Sequence, residues 1–214
     1  MAAPVFTLEN LADHIAAYRA RIEQRRIAIE SRPHEKRFAL AEPPQESKDF
    51  WEALRRTMAF RLAARPEGLD RTFQAFNTSS GVRELSPEET LAAKCEHAFE
   101  RLGREFIEAA RDGDGDLVRA FIEEGFPMLY SDERTRETAL HAAAGSRARP
   151  AVRVLVQHWP DFLMRDHYGR LASELAYLYG EDPAMAHMLG IKERKNAKAT
   201  GRDVVRRVYA YRAN

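Results

Sequence analysis

The stretch Thr138-Ala-Leu-His141-Ala-Ala-Ala-Gly145, followed by Val152-Arg-Val-Leu155-Val156, constrains the fold more than any other part of this 214-residue chain. It reads as two short apolar helices joined by a turn, and the pattern recurs before and after it every 33 or 34 residues. Ala109, Ala143 and Ala176 fall on one register, and Val118, Val152 and Met185 on another. A unit this short cannot bury its apolar face alone, so the units must stack into a solenoid. Paired alanines let the inner helices approach closely, while the larger residues of the outer helices fill the layer between units. Such a stack presents a surface that binds a partner and lowers the expectation of a catalytic pocket.

Three segments align, 104–130, 131–163 and 164–190. The first holds Phe106, Ala109-Ala110, Gly113, Leu117-Val118, Phe121-Ile122 and Gly125. The second holds Thr138, Leu140-His141, Ala143-Ala144, Val152, Leu155-Val156 and Trp159; the third holds Asp166, Gly169-Arg170, Leu175-Ala176, Gly180, Met185 and Met188-Leu189. The pattern resembles the ankyrin repeat family, whose unit is roughly Asp-x-x-Gly-x-Thr-Pro-Leu-His-x-Ala-Ala, a glycine turn, then an outer helix. The sequence departs from it at Arg136 and Arg147, where glycine is expected, at Trp159, and at Ser173-Glu174, which stand for Leu-His. The first and third units read as degenerate capping repeats.

The resemblance implies a structural His141, its imidazole bonding the backbone of the neighbouring loop. It also implies binding through the loop fingertips and the concave side of the inner helices. Those positions are Arg111 and Asp112 in the first unit, and Glu133, Arg134, Arg136, Gly145 and Ser146 in the second. In the third they are His167, Tyr168, Arg170, Leu178 and Tyr179. Tyrosine and arginine are the side chains that most often anchor interfaces; burial competes with binding as the role of Leu178 and Tyr179.

Residues 1–103 read as a separate α-helical domain. Thr7 can cap a helix running to about Ser31 before Pro33, with Leu8, Leu11, Ile15, Tyr18, Ile22 and Ile29 making one stripe. Arg19, Arg21, Arg25 and Arg26 fall beside it and read as a solvated face. Ser47 can cap a second helix carrying Phe50, Trp51, Leu54, Met58 and Leu62, ending before Pro66, and Phe73 and Phe76 suggest a short turn. Ser86-Pro-Glu-Glu89 is a capping box with proline at the first helical position. The helix it opens carries Leu91, Cys95, Phe99 and Leu102 and is expected to bend or stop near Gly103. The fold expected is therefore all-α: a helical N-terminal domain, a short ankyrin-like solenoid of about three helix–turn–helix repeats, and a basic tail, 191–214.

Charge is balanced along 1–103, acidic along 104–190 and strongly basic in the tail, where Lys192, Arg194, Lys195, Lys198, Arg202, Arg206, Arg207 and Arg212 meet only Glu193 and Asp203. Thr200-Gly-Arg-Asp203 can start a short helix there, covering the open end of the last repeat or contacting nucleic acid. No apolar run approaches the roughly 18 residues of a membrane span. The N-terminus lacks a signal-peptide pattern, and a lone Cys95 suits a reducing compartment, so the cytoplasm is expected. Usage rich in alanine and arginine is compatible with a bacterial source. Asp112, Asp114, Asp116 and Glu123 have the spacing of a calcium loop, but Leu117 stands where its turn glycine belongs, and a helix cap explains the aspartates better. Cys95 and His97, two apart on a helix, cannot face each other. Neither a catalytic residue, a metal site nor a cofactor is expected.

The reading that follows is a non-catalytic protein-interaction module, an adaptor or inhibitor, whose partner is another protein. One alternative is a nucleic-acid-associated protein using the tail and the arginines of the first helix. Another is an effector-type enzyme with its site in the N-terminal domain, among His14, His34, Glu35 and Cys95.

Overall fold

The computed structural model describes residues 4–32, 41–63, 85–158 and 160–204. Trp159, the segments holding Pro33, His34, Glu35, Pro66, Phe73 and Phe76, and the tail beyond Val204 lie outside them. The described residues form an all-α protein with helices α1 (Leu11–Glu30), α2 (Gln45–Ala63), α3 (Pro87–Asp112), α4 (Gly115–Glu123), α5 (Ala139–Gly145), α6 (Arg149–Gln157), α7 (Ala172–Leu178) and α8 (Pro183–Thr200). One isolated bridge, Ser131 to Thr138, is the β-pairing found among them. The chain divides into two compact units, residues 1–20 with 44–100, and 21–43 with 101–214.

In the first unit, Thr7 and Asn10 exchange side-chain and backbone hydrogen bonds (2.7 and 3.2 Å) in the turn that enters α1. Leu11 and Tyr18 bury the apolar stripe as expected, but Leu8 is exposed. Tyr18 stacks on Phe50 at 4.6 Å, and Trp51 meets Tyr18 edge-on while its Nε1 donates to the Tyr18 hydroxyl at 3.1 Å. The buried indole N–H thus has the partner it needs. Ser47 does not cap α2. The helix starts at Gln45, the Pro44 carbonyl accepts the Ser47 N–H, and Ser47 is buried inside the first turn. The Ser86–Glu89 box forms as read, with reciprocal bonds of 2.9 and 3.1 Å.

Helix α3 does not stop at Gly103 but continues to Asp112. Gly103 is needed for a different reason: the Tyr130 ring occupies the space a Cβ would take. The last turns of α3 belong to the second unit and serve as an inner helix, Phe106 closing on Phe121 and Phe126 at 5.5 and 5.1 Å.

Three helix–turn–helix pairs make up the second unit: the end of α3 with α4, α5 with α6, and α7 with α8. Helix α5 packs on α6 and α7, and α4 on α6. The backbone itself repeats. Gly113 (φ +80°), Arg147 (+56°) and Glu181 (+47°) take left-handed conformations at equivalent turns, as do Arg136 (+53°) and Gly169 (+74°) in the loops between pairs. Arg136 and Arg147 therefore adopt the geometry of the glycines they replace, at a steric cost glycine would avoid. Asp114 caps α4, accepting the Leu117 N–H at 2.9 Å, and Asp182 caps α8 in the same way at 3.0 Å.

The arginines beside the first stripe are not merely solvated. Arg25 bonds Glu124 at 2.9 Å, Arg26 pairs with Asp114 at 3.2 Å, and Arg32 grips both oxygens of the fully buried Glu123 at 2.9 and 2.8 Å. Ion pairs thus tie the C-terminal half of α1 to α4 and its flanks, and Ile22 and Ile29 on that half are buried. At the other end, α8 runs without a break through residues assigned to the tail. Glu193, Asn196 and Ala197 are buried, and Ser173 donates to Glu193 at 2.8 Å. Thr200 ends a helix instead of starting one: Gly201 takes the left-handed cap position, and Arg202 forks onto Asp161 at 3.0 and 2.7 Å.

Candidate functional site

The second unit carries a recess of about 270 Å³. Arg111 of α3, Ala142, Gly145 and Ser146 of the α5 turn, and Leu175 and Tyr179 of α7 form its floor and one wall. Two loops form the other, one contributing Thr135 and Glu137 and the next Asp166, Tyr168 and Arg170.

Local chemistry fixes both loops. Asp132 Oδ1 accepts the N–H groups of Arg134 and Thr135 (3.0 and 2.9 Å) and the Thr135 hydroxyl (3.0 Å). Burial works to raise the Asp132 carboxyl, but the Thr135 and Arg134 donors outweigh it and hold the group below the usual carboxylate range. In the next loop Asp166 accepts the Arg170 N–H at 2.8 Å while its second oxygen takes the Arg170 Nε at 2.7 Å. The His167 N–H donates to the Thr135 carbonyl at 2.8 Å and ties the two loops together.

Beneath them lies His141, 2% exposed. Its Nε2 faces the Arg170 carbonyl at 3.1 Å, which can only accept, so this nitrogen carries the proton; Nδ1 then accepts from the Thr138 hydroxyl at 2.7 Å. Both nitrogens are occupied in a neutral ring that braces the third loop from below, a structural role. Burial holds its pKa below the ordinary 6.5 against the favourable contacts of Arg170 O and Asp166. The unfolded chain therefore binds a proton near 6.5 that the folded chain refuses, so stability is full above that pH and falls as pH drops below it. Urea midpoints should decline between pH 7 and 5. A carbon-13 titration placing the His141 ring at or above the ordinary histidine value would contradict this.

The Arg170 guanidinium is held by Asp166 and the Tyr179 hydroxyl (2.8 Å), with its Cζ 4.6 Å from the Tyr168 ring centre and 5.3 Å from that of Tyr179. Both tyrosines are well exposed, 70% and 63%. Arg111 is shared between Glu108 and Glu137, the latter at 2.9 Å.

Of the residues singled out in the sequence, the recess gathers Arg111, Gly145, Ser146, Tyr168, Arg170 and Tyr179. Glu133, Arg134 and Arg136 stand exposed at the first fingertip, and Asp112 and Leu178 are exposed outside the recess. His167 is also exposed outside it, edge-on to Tyr168 at 5.7 Å. The acidic halves of the two ion pairs, Glu137 and Asp166, were not read as site residues. For Asp166 the signal was present, since Asp166 and Arg170 bracket a glycine turn. For Glu137 there was none, because its partner lies 26 positions away. Among the described residues no three His, Cys, Asp or Glu side chains are placed to hold a metal ion. Cys95 is buried, which pushes its thiol up to about 11, far from a reactive thiolate, and His97 is exposed.

No family model matches the sequence. Over 97 residues, 44% of the chain, it is 35% identical to diacylglycerol kinase iota of Mus musculus. Over 97 residues it is 34% identical to the proteins of that name from Rattus norvegicus and Homo sapiens. The matched stretch is 9% of each of those proteins. The similarity is therefore to a small region of a much longer chain. No helix among the described residues is long and apolar enough to cross a membrane.

Proposed function

We propose that the protein is a non-catalytic interaction module, an adaptor or inhibitor, that holds a partner protein against the concave face of ankyrin-like repeats spanning about 104–190. The observation that carries this reading is the pair Tyr168 and Tyr179, exposed on either side of an Arg170 that Asp166 already fixes. Large aromatic faces left in water beside a preorganised cation are what an interface uses for anchors. The limited similarity to one region of diacylglycerol kinase iota is compatible with a region shared for binding; the activity in that protein's name is not carried over. Engagement of the tail as far as Arg202 within its own unit argues for the concave face over a nucleic-acid contact there.

The test is affinity capture from the native host with the wild-type chain and a Tyr168→Ala/Tyr179→Ala variant. Wild type should retain a defined partner and the variant should lose it by tenfold or more in Kd, about 1.4 kcal/mol, with unfolding unchanged. Equal retention by both would remove the site from this face.

A further inference from the structure

Resting on that reading of a partner-binding face, we propose that the recess is an anchor site for one arginine or lysine side chain of the partner protein. Arg170 is matched by Asp166, whose two oxygens take its backbone N–H and its Nε. Arg111 is shared by two carboxylates, its Nη1 donating to Glu108 and its Nη2 to Glu137 at 2.9 Å. Two guanidinium groups therefore meet three carboxylates, which leaves one negative charge over. The fingertip does not cancel it: Asp132 and Glu133 match Arg134 and Arg136 in number, and none of the four lines the recess. Arg147 and Arg149 also lie outside the lining and face Asp182, and Arg165 donates to the Gly169 carbonyl.

Acceptor atoms are spare as well as charge. Glu137 gives Arg111 its Oε2 and Glu108 its Oε1; among the described residues their other oxygens accept no hydrogen bond. The two side chains are 24% and 58% exposed, so a new cation can reach them without losing all its water, the loss that makes buried ion pairs costly. The rest of the lining selects a long, amphipathic cation. Ala142, Leu175 and Tyr179 present carbon along one side, and Tyr168 is exposed on the other. A bare ion would leave that carbon surface uncovered, and a neutral apolar chain would leave the extra carboxylate unmatched. Arginine or lysine meets both, its methylene stem on the apolar side and its head at Glu137 and Glu108. An acidic side chain would add to the excess.

The experiment follows backbone amide signals of nitrogen-15-labelled full-length protein during titration with N-acetyl amides of arginine, lysine, norleucine and glutamate. Norleucine is lysine without its ammonium. The two cations should shift Glu137, Ser146 and Tyr179, norleucine should bind about threefold more weakly, and glutamate should leave the signals in place. Glu108→Gln, at an exposed position, and Glu137→Gln should each weaken the cations about threefold and leave norleucine unchanged. If Glu137→Gln fails to fold, Glu108→Gln decides alone. Norleucine or glutamate binding as well as lysine would overturn the proposal, as would no shift with any probe or cation affinities unchanged in the folded variants. Those failures leave partner capture by the tyrosines standing; loss of the Tyr168/Tyr179 effect on capture would instead remove the reading beneath it.

Discussion

Replacing Glu123 by glutamine should cost about 4 kcal/mol of stability, among the largest effects of any single polar change in the protein. Glu123 has no exposed surface and faces two cations, Arg32 just beyond the end of α1 and the nearly buried Arg119 of its own helix. Neutralising it leaves two guanidinium groups facing each other in a region poor in water. Replacing Arg32 by glutamine should cost less, about 2 kcal/mol, because Arg119 remains to balance the carboxylate. The double variant should then be no worse than Glu123→Gln alone, a coupling of about 2 kcal/mol. Urea unfolding of the four proteins measures the cycle. Additive losses would mean that Arg32 and Glu123 do not act together. Raising the salt to 1 M should do little to this cluster, since buried pairs are poorly screened.

That cluster also shows what the sequence could and could not disclose. Register was legible because it is periodic: Ala109, Ala143, Ala176, Val118, Val152 and Met185 are all buried, as their spacing demands. Ser86 and Glu89 were legible because a capping box is local. The pairing of the α1 arginines was not, since Arg25 and Glu124 are 99 residues apart and only the fold makes them neighbours. Read alone, a helix with several arginines on one side looks solvated. Ser47 misled for the opposite reason. Pro44, three residues earlier, supplies the carbonyl that starts the helix, and two adjacent local signals competed. At the recess, sequence reasoning found the tyrosines and arginines but not Glu137, whose role is to balance a charge from a different repeat.

Two glycines of the second unit should respond to alanine in opposite directions. A Cβ on Gly180 would lie 2.5 Å from the Ala144 carbonyl oxygen and 2.9 Å from that of Ala176, both main-chain atoms that cannot swing aside. The third helix pair would have to retreat from the second, and overpacking of this kind costs about 3 kcal/mol. Gly145, at the end of α5, has a right-handed backbone and only an ordinary contact in reach, so alanine there should add about 0.5–1 kcal/mol through helix propensity. For a chain of this size the melting temperature should fall by roughly 6–12 °C in Gly180→Ala and rise by roughly 1–4 °C in Gly145→Ala. If Gly180→Ala melts within about 1 °C of wild type, the close approach of the two repeats is not required for their packing. The pair also separates stability from binding. Gly180 holds α7, and with it Tyr179, at its distance from α5, whereas Gly145 only leaves room between them. A variant that loosens the first should weaken partner capture along with the fold, and one that trims the second should stabilise the fold while narrowing the recess.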